Sequence, residues 1–417
     1  MIIYDNIHGY INVDELATSI INTPTFQRLR YIHQTGILYM VFPSATHTRF
    51  EHSIGTYFLA KQMIESLKKN NIEYNITDNI IKVISIAGLC HDLGHLIFSH
   101  LFDDLFLKEL PYYSKLQTQT NNTNHENRSI FLLNYIVSTH NINLTQDELL
   151  VIKDLINPKD ASYDKWLPEY QVGKWIFQII SNELNGIDVD KFDYITRDTI
   201  SVGLKLGFNF TRIINDAKII NDTICYSQNC CEDIYHMFFI RYRLHREIYN
   251  HKCVKSIELY IIKILFELEK ELEISNYILT AEKMIELTDF FLWTNSLNNT
   301  IKNIINDINC RNLLKLAYQD ISTINHKYDN FIEKIKSNFD LSKLYIIKFT
   351  VGYSSSKLPN PLNSIRLYNK NDTNIQLMSR IDNFSLLLNQ NFKEHYFRIY
   401  CTKDIYNEVF SFINNET

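Results

Sequence analysis

Four short islands of this chain hold residues that can bind metal and cut a phosphate ester. They are Arg49-Phe50-Glu51-His52, His91-Asp92-Leu93-Gly94-His95, His125-Glu126 and Asp188-Val189-Asp190-Lys191. Two neutral imidazoles and two carboxylates form a nitrogen and oxygen donor set for one or two divalent ions. The set suits Fe, Mn, Co, Ni, Zn or Mg, and spacing does not choose among them. Such an ion beside Arg and Lys outlines a phosphate-cleaving centre. A lone His-Asp pair says little in a chain with 14 histidines. Here it closes the apolar segment 78–92, and charged groups at a buried helix end need a partner. A metal is one such partner, and an ion pair is the other.

The flanking residues extend the chemistry. His95 stands one helical turn after His91 if the helix continues, although Gly94 is equally able to bend the chain. His100 and Asp103 are spaced i, i+3, so the carboxylate can bond the imidazole and raise its pKa. A protonated imidazole beside a reacting phosphate is a general acid; the same spacing also suits a pair on a helix surface. His125-Glu126 follows a polar tract and could simply open a helix, where Glu is favoured by the dipole. Arg49 precedes His52 by one turn, and Lys191 adjoins Asp190. Further on, Arg241, Arg243, His245, Arg246, His251 and Lys252 crowd one stretch with Tyr242 and Tyr249. That stretch is either a solvated basic face or a surface for a polyphosphate.

The elements that must position these residues are mostly helical. Gly (10) and Pro (7) are scarce in 417 residues, which disfavours a sandwich of tight turns, and 45% hydrophobic content supplies a large core. Helical spacing predicts a helix within 14–35 that Pro24 divides in two, then helices over 50–70, 78–92, 126–139, 146–156, 174–183 and 188–198. A loop is expected from Lys115 to Asn124, and one or two long helices from Glu232 to Glu273. After about residue 320 the pattern turns β-rich at Lys343–Tyr353, Ser364–Tyr368 and Tyr396–Cys401. The expected organisation is mainly α: a helical core over 1–320 and a small α+β lobe over 321–417. A net charge of −5 gives no global nucleic-acid footprint. Seven scattered cysteines fit reduced thiols, and no run is apolar enough to span a bilayer, so a soluble intracellular protein of cytoplasm or nucleus is expected.

Longer runs carry a resemblance. Thr23-Pro24-Thr25-Phe26-Gln27-Arg28-Leu29-Arg30-Tyr31-Ile32, Val41 through Gly55, His91 through His100, and Asn185 through Tyr194 resemble the core of the SAM- and HD-domain-containing deoxynucleoside triphosphate triphosphohydrolases. The resemblance covers about Ile2 to Lys255 and weakens beyond. The chain opens at the HD core, so no SAM domain is expected. The resemblance implies a multi-helix HD-domain core in which His52, His91, Asp92 and Asp190 bind the catalytic metal. Arg49, Lys191 and Arg241 would hold the triphosphate, with His245 and Asn250 in the same pocket. His95 would lie by the α-phosphate. His100 would protonate the departing 5′-oxygen, supported through Asp103, His125 and Glu126. Gln34, Thr35, Tyr194, Asp198 and Tyr249 would shape a deoxyribose pocket that excludes a 2′-hydroxyl.

The family's nucleotide-activated members tetramerise around allosteric sites for guanine and deoxynucleotides. Gln27 and Arg30 keep that pattern, His251 and Lys252 match other allosteric positions, and Asn22 replaces a carboxylate. Losing that charge would weaken recognition of guanine N1–H and N2–H₂. Asn250 stands where a Gln is usual. The reading is therefore a metal-dependent dNTP triphosphohydrolase, a dimer or tetramer with a possible activating nucleotide. The rivals are an HD nucleotidase or phosphodiesterase with another phosphate ester, and a nucleotide- or single-strand-binding protein with little turnover.

Overall fold

The computed structural model describes residues 1–160, 166, 170–294, 298–323, 328–353, 360–369, 372–378 and 391–416. Two helices form the backbone of the site. The first, Arg49–Asn70, buries Phe50, Ile54, Tyr57, Ala60, Ile64 and Leu67 at three- and four-residue intervals. The second, Asp78–Cys90, is opened by the Thr77 side chain, which accepts from the Ile80 N–H. They cross closely because Gly88 carries no side chain. A Cβ there would sit 3.0 Å from that of Ala60 and 3.1 Å from the Thr56 carbonyl.

The helices His125–His140, Gln146–Ile156 and Val189–Ser201 each start at a side-chain cap, from Asn124, Thr145 and Asp188 respectively. Thr145 and Glu148 make a reciprocal capping box. Pro24 opens a second short helix after Glu15–Ile21, as its position predicts. The stretch from 232 to 273 is a helix Cys231–Arg243, a wider π turn Leu244–Tyr249 and a second helix Lys252–Leu272.

Two local expectations are corrected. The tract from Lys115 is not all loop, because a short helix spans Tyr113–Gln119 around the buried Leu116. The expected helix over 174–183 is a single 3₁₀ segment, Lys174–Gln178. Beyond it Asn182 bonds Asn185 and the Ile187 carbonyl, which closes a loop in place of further helical turns.

Among the described residues, three small sheets accompany the helices. A hairpin pairs Ile2–Asp5 with Gly9–Asn12, and Gly9 takes the positive φ its turn needs. The chain after residue 320 contributes to two different sheets. Arg366–Asn369 runs parallel to Thr223–Ser227 of the helical core, with Tyr226 opposite Leu367. Lys393–Cys401 is the central strand of a three-stranded antiparallel sheet, between Lys315–Ser322 and Leu344–Gly352. That sheet has its own apolar cluster, with Ile335, Phe397, Ile399 and Val409 fully buried. Mainly helical architecture with a small strand-bearing C-terminal region is thus what the chain adopts.

Candidate active site

The four expected metal ligands converge from two helices and the turn that ends a third. His52 Nε2 lies 3.3 Å from His91 Nε2, 3.3 Å from an Asp92 oxygen and 3.1 Å from Asp190 Oδ1. His91 Nε2 is 3.5 Å from Asp92 Oδ1 and 3.6 Å from Asp190 Oδ1. The facing nitrogens are fixed by what the opposite ring nitrogens do. His52 Nδ1 donates to Asp193 Oδ2 at 2.8 Å, and His91 Nδ1 donates to the Gly88 carbonyl at 2.8 Å. Each ring therefore turns Nε2 inward, the arrangement that tunes metal-ligating histidines.

This donor set fits a divalent cation. Two lone pairs and two carboxylates facing each other in a buried space require positive charge between them. The electrostatics agree. Burial opposes charge on His52, but Asp190, Asp193 and Asp92 outweigh it and raise its pKa well above the usual range. Burial likewise opposes charge on Asp92, yet Arg49, His91 and His95 hold it well below the carboxylate range. Asp190 is also held far down, against burial, by His52 and His91.

The His91–His95 loop is clamped by two buried arginines that nothing in the sequence distinguished. Arg28 donates to the carbonyls of His95 (2.8 Å) and Leu93. Arg128 donates to the Gly94 carbonyl (2.8 Å) and to Asp103 Oδ1 (2.5 Å). Gly94 lets the next helix come close, because a Cβ there would stand 2.2 Å from the His125 carbonyl.

The expected His100–Asp103 hydrogen bond is a correction. Asp103 lies in a π turn, Phe102–Phe106, and points inward to Arg128 and to His125 Nδ1, 3.5 Å away. The nearest carboxylate to His100 is Asp104, at 3.9 Å. A π turn takes an extra residue, so i, i+3 partners no longer stack. His95, His100 and His125 nevertheless gather, with the rings of His95 and His125 stacked at 4.2 Å and His100 edge-on to both. Burial first, then Arg49 and His125, keeps His95 neutral. Burial opposes charge on His125, but Asp103 and Glu126 raise its pKa. The His100 side chain is 61% exposed but opens into the cavity, where the surrounding protein, then His125 and Arg49, lowers its pKa.

His91, Asp92, Asp190, His95, His100, His125 and Glu126 border one cavity of about 680 Å³, which also takes in Gln34, Thr35, Lys191, Tyr194, Asp198, Arg241, His245, Tyr249 and Asn250. That volume suits a small-molecule site. Its cations are committed only in part. Arg49 binds Asp92, Ser99 and the Gln34 carbonyl, Lys191 binds Asp188 at 2.8 Å, and Arg241 Nη1 binds the Gly352 carbonyl at 2.7 Å. Gln34 Oε1, Thr35 Oγ1, His95 Nδ1 and Arg241 Nε are buried with no hydrogen-bond partner among the described residues, and His95 Nε2 has only the Asp92 carboxylate, 3.3 Å away. On another wall the Tyr249 hydroxyl donates to Asp198, whose other oxygen is 2.6 Å from His47 Nε2. Asn250 folds its amide back onto the His245 carbonyl. Residues 241, 245 and 249 recur every four positions, which brings them to one face of the Cys231–Tyr249 stretch.

Asp289 is another residue the sequence did not single out. It accepts from the His33 and Phe98 amides at 2.8 and 2.7 Å, and holds the His33 ring at 2.7 Å. Phe98 and the neighbouring Ser99 both have positive φ, 56° and 54°, a strained turn that needs such an anchor. The five expected allosteric residues lie elsewhere. Asn22 is exposed at a helix end, while Gln27 bonds Arg30, whose guanidinium covers the Phe50 ring. His251 packs edge-on to Phe42 and caps the helix that Lys252 begins.

With this geometry in place, the chain falls in a defined class: residues 49–144 match the HD domain. It is 34% identical over 442 residues to a putative HD domain-containing protein, L394, of Acanthamoeba polyphaga mimivirus, covering 95% of this chain and 91% of that one. It is 32% identical to the Dictyostelium discoideum homolog of deoxynucleoside triphosphate triphosphohydrolase SAMHD1, covering 96% and 77%. The Homo sapiens SAMHD1 is 30% identical, with 96% and 70% covered. The chain belongs to the SAMHD1 family of HD-domain proteins. No helix among the described residues is long and apolar enough to cross a membrane.

Proposed function

We propose that this chain hydrolyses deoxynucleoside triphosphates to deoxynucleoside and inorganic triphosphate. One observation carries the reading. A cavity sized for a nucleotide is lined by His91, Asp92 and Asp190, with His52 buried behind them, and by Arg49, Lys191, Arg241 and a row of buried, unpartnered polar atoms. Such atoms cost roughly 1–3 kcal/mol each while unmet, and a polyanionic substrate would satisfy the donors among them, on Thr35, His95 and Arg241. The names of the relatives specify the same substrate class.

His52, His91, Asp92 and Asp190 would hold a divalent ion of Fe, Mn, Co, Ni, Zn or Mg. When bound, that ion supplies a Lewis acid and an activated water. The remaining steps belong to the chain's own residues. Arg49, Lys191 and Arg241 bind and orient the triphosphate, and neutral His95 faces the α-phosphate without adding charge repulsion to Arg49. His100 gives its proton to the departing 5′-oxygen, with His125, Asp103 and Glu126 as the proton-holding group behind it. Gln34, Thr35, Tyr194, His245 and Asn250 complete the nucleoside pocket. The Tyr249 hydroxyl and His47 Nε2 each hold one oxygen of Asp198, which fixes this wall of the pocket. Close packing of the sugar against Tyr249 and this wall would leave no room for a 2′-hydroxyl. Assembly as a homo-oligomer, nucleotide activation through Asn22, Gln27, Arg30, His251 and Lys252, intracellular residence and a division near residue 320 complete the proposal on the strength of the resemblance.

A panel of dNTPs, NTPs, deoxynucleoside monophosphates and cyclic nucleotides tests the substrate class. The dNTPs should turn over, the ribonucleotides should react roughly 10²-fold more slowly for want of room for the extra hydroxyl, and the others should not react. Preferred hydrolysis of a monophosphate or cyclic nucleotide would contradict the proposal.

A further inference from the structure

The N-terminal hairpin reaches into the metal centre. His8, in its turn, has a side chain only 1% exposed, and its Nε2 lies 2.7 Å from Asp193 Oδ1. The second oxygen of Asp193 holds His52 Nδ1 at 2.8 Å. Arg197 Nε and Nη2 bond both oxygens of the same carboxylate at 2.9 Å. Arg197 Nη1 returns to Asp5 Oδ2 at 2.9 Å, and Asp5 Oδ1 accepts from the amides of Ile7 and His8 that shape the turn. The carboxylate of Asp193 is fully enclosed. Even the first-ligand helix makes room, because a Cβ on Gly55 would fall 2.0 Å from Asp193 Oδ1.

We infer that His8 is a positioning residue for the metal centre, acting through Asp193 on the ring of His52. An ionised carboxylate only accepts, so His8 Nε2 and His52 Nδ1 each carry the proton they share with it. Every hydrogen bond that Asp193 makes fixes the direction from which it pulls on His52. That pull sets both the tautomer that leaves Nε2 bare and the angle at which Nε2 faces Asp190 and Asp92. Partners behind metal-ligating histidines change affinity by roughly 10–100-fold when removed. His8 holds one oxygen of such a partner, so the lower end of that range applies. The inference rests on His52 being a metal ligand, and it does not depend on which phosphate ester is cleaved.

His8 also packs between Phe58 and Phe210, with ring centroids 5.3 and 5.8 Å away. A packing role and a positioning role therefore predict opposite results for two substitutions. His8→Phe keeps the ring contacts and removes the hydrogen bond; His8→Gln keeps a donor and gives up the ring. Mn²⁺ would be titrated into the metal-stripped full chain without nucleotide, with free Mn²⁺ followed by electron paramagnetic resonance. His8→Phe should weaken binding about tenfold, and His8→Gln should stay within about twofold of the unaltered chain. Unaltered affinity in His8→Phe, or an equal loss in both variants, would overturn the inference. Should His8→Phe not fold, Asp5→Asn decides. It keeps the turn's acceptor oxygen but neutralises the ion pair with Arg197, and it should weaken Mn²⁺ binding in the same direction. Unaltered affinity there would also overturn the inference. Because no nucleotide is present, a failure of the dNTP reading would leave this result unchanged, and the reverse also holds.

Discussion

Asp92→Ala is expected to abolish dNTP hydrolysis and to strip the chain of its metal. This carboxylate meets three imidazoles at once, His52 and His95 at 3.3 Å and His91 at 3.5 Å, and it is bonded by Arg49. Losing it removes a ligand and leaves the Arg49 cation, which is 4% exposed, without its counter-charge. Breaking a buried pair on one side costs about 3–5 kcal/mol of stability. Part of any activity loss could then be unfolding, so Asp92→Asn is the sharper variant. It keeps the shape and an acceptor for Arg49 while withdrawing the charge the metal needs. Loss of several kcal/mol of transition-state stabilisation from a metal centre is roughly 10³-fold or more in rate. Asp92→Asn should fall by at least that factor, with metal content near zero by elemental analysis and a melting temperature closer to that of the parent than Asp92→Ala shows. Substantial turnover in a metal-free Asp92→Asn chain would sink the assignment.

His100→Ala should lower kcat by about 10²–10⁴-fold, the span of general acid catalysis, while metal content stays unchanged. A pH signature separates this role from simple positioning. The surrounding protein, then His125 and Arg49, lowers the His100 pKa in the free chain, against Asp104 and Asp103. A general acid works only while protonated, so the rate is lost as pH rises through its pKa. A bound triphosphate would stabilise the imidazolium and move that pKa upward. The descending limb of kcat/KM, which reports the free enzyme, should therefore lie at lower pH than the same limb of kcat. The limb should vanish from both profiles in His100→Ala. Coincident limbs, or a limb that survives the substitution, would remove His100 from the role of acid.

How much was legible in the sequence follows from how local each feature is. The four residues that converge, His52, His91, Asp92 and Asp190, could be picked out because His91-Asp92 ends an apolar helix and His52 and Asp190 sit in distinctive runs of their own. The helices Asp78–Cys90 and Gln146–Ile156 carry their caps, and Arg49–Asn70 its apolar periodicity, within a dozen or two residues. The His100–Asp103 pair failed for an equally local reason: spacing assumes an α-helical turn, and the chain forms a wider one there. What escaped were partners brought from far along the chain. Arg128 reaches Asp103 across 25 residues, His8 reaches Asp193 across 185, and Asp289 reaches His33 across 256. None of them sits in a spacing pattern, and each is a common residue type whose role exists only once the fold has closed. The N-terminal hairpin escaped for a similar reason, since each strand is four residues long and alternates weakly.

The central claim is a reaction that cuts one bond and leaves the triphosphate whole. The direct measurement is ion-exchange chromatography of the products from each of the four dNTPs with the Mn²⁺-loaded chain, with and without added GTP. The predicted result is one equivalent of deoxynucleoside for each equivalent of inorganic tripolyphosphate, with any effect of GTP confined to the rate. Release of orthophosphate or pyrophosphate in place of tripolyphosphate would contradict it.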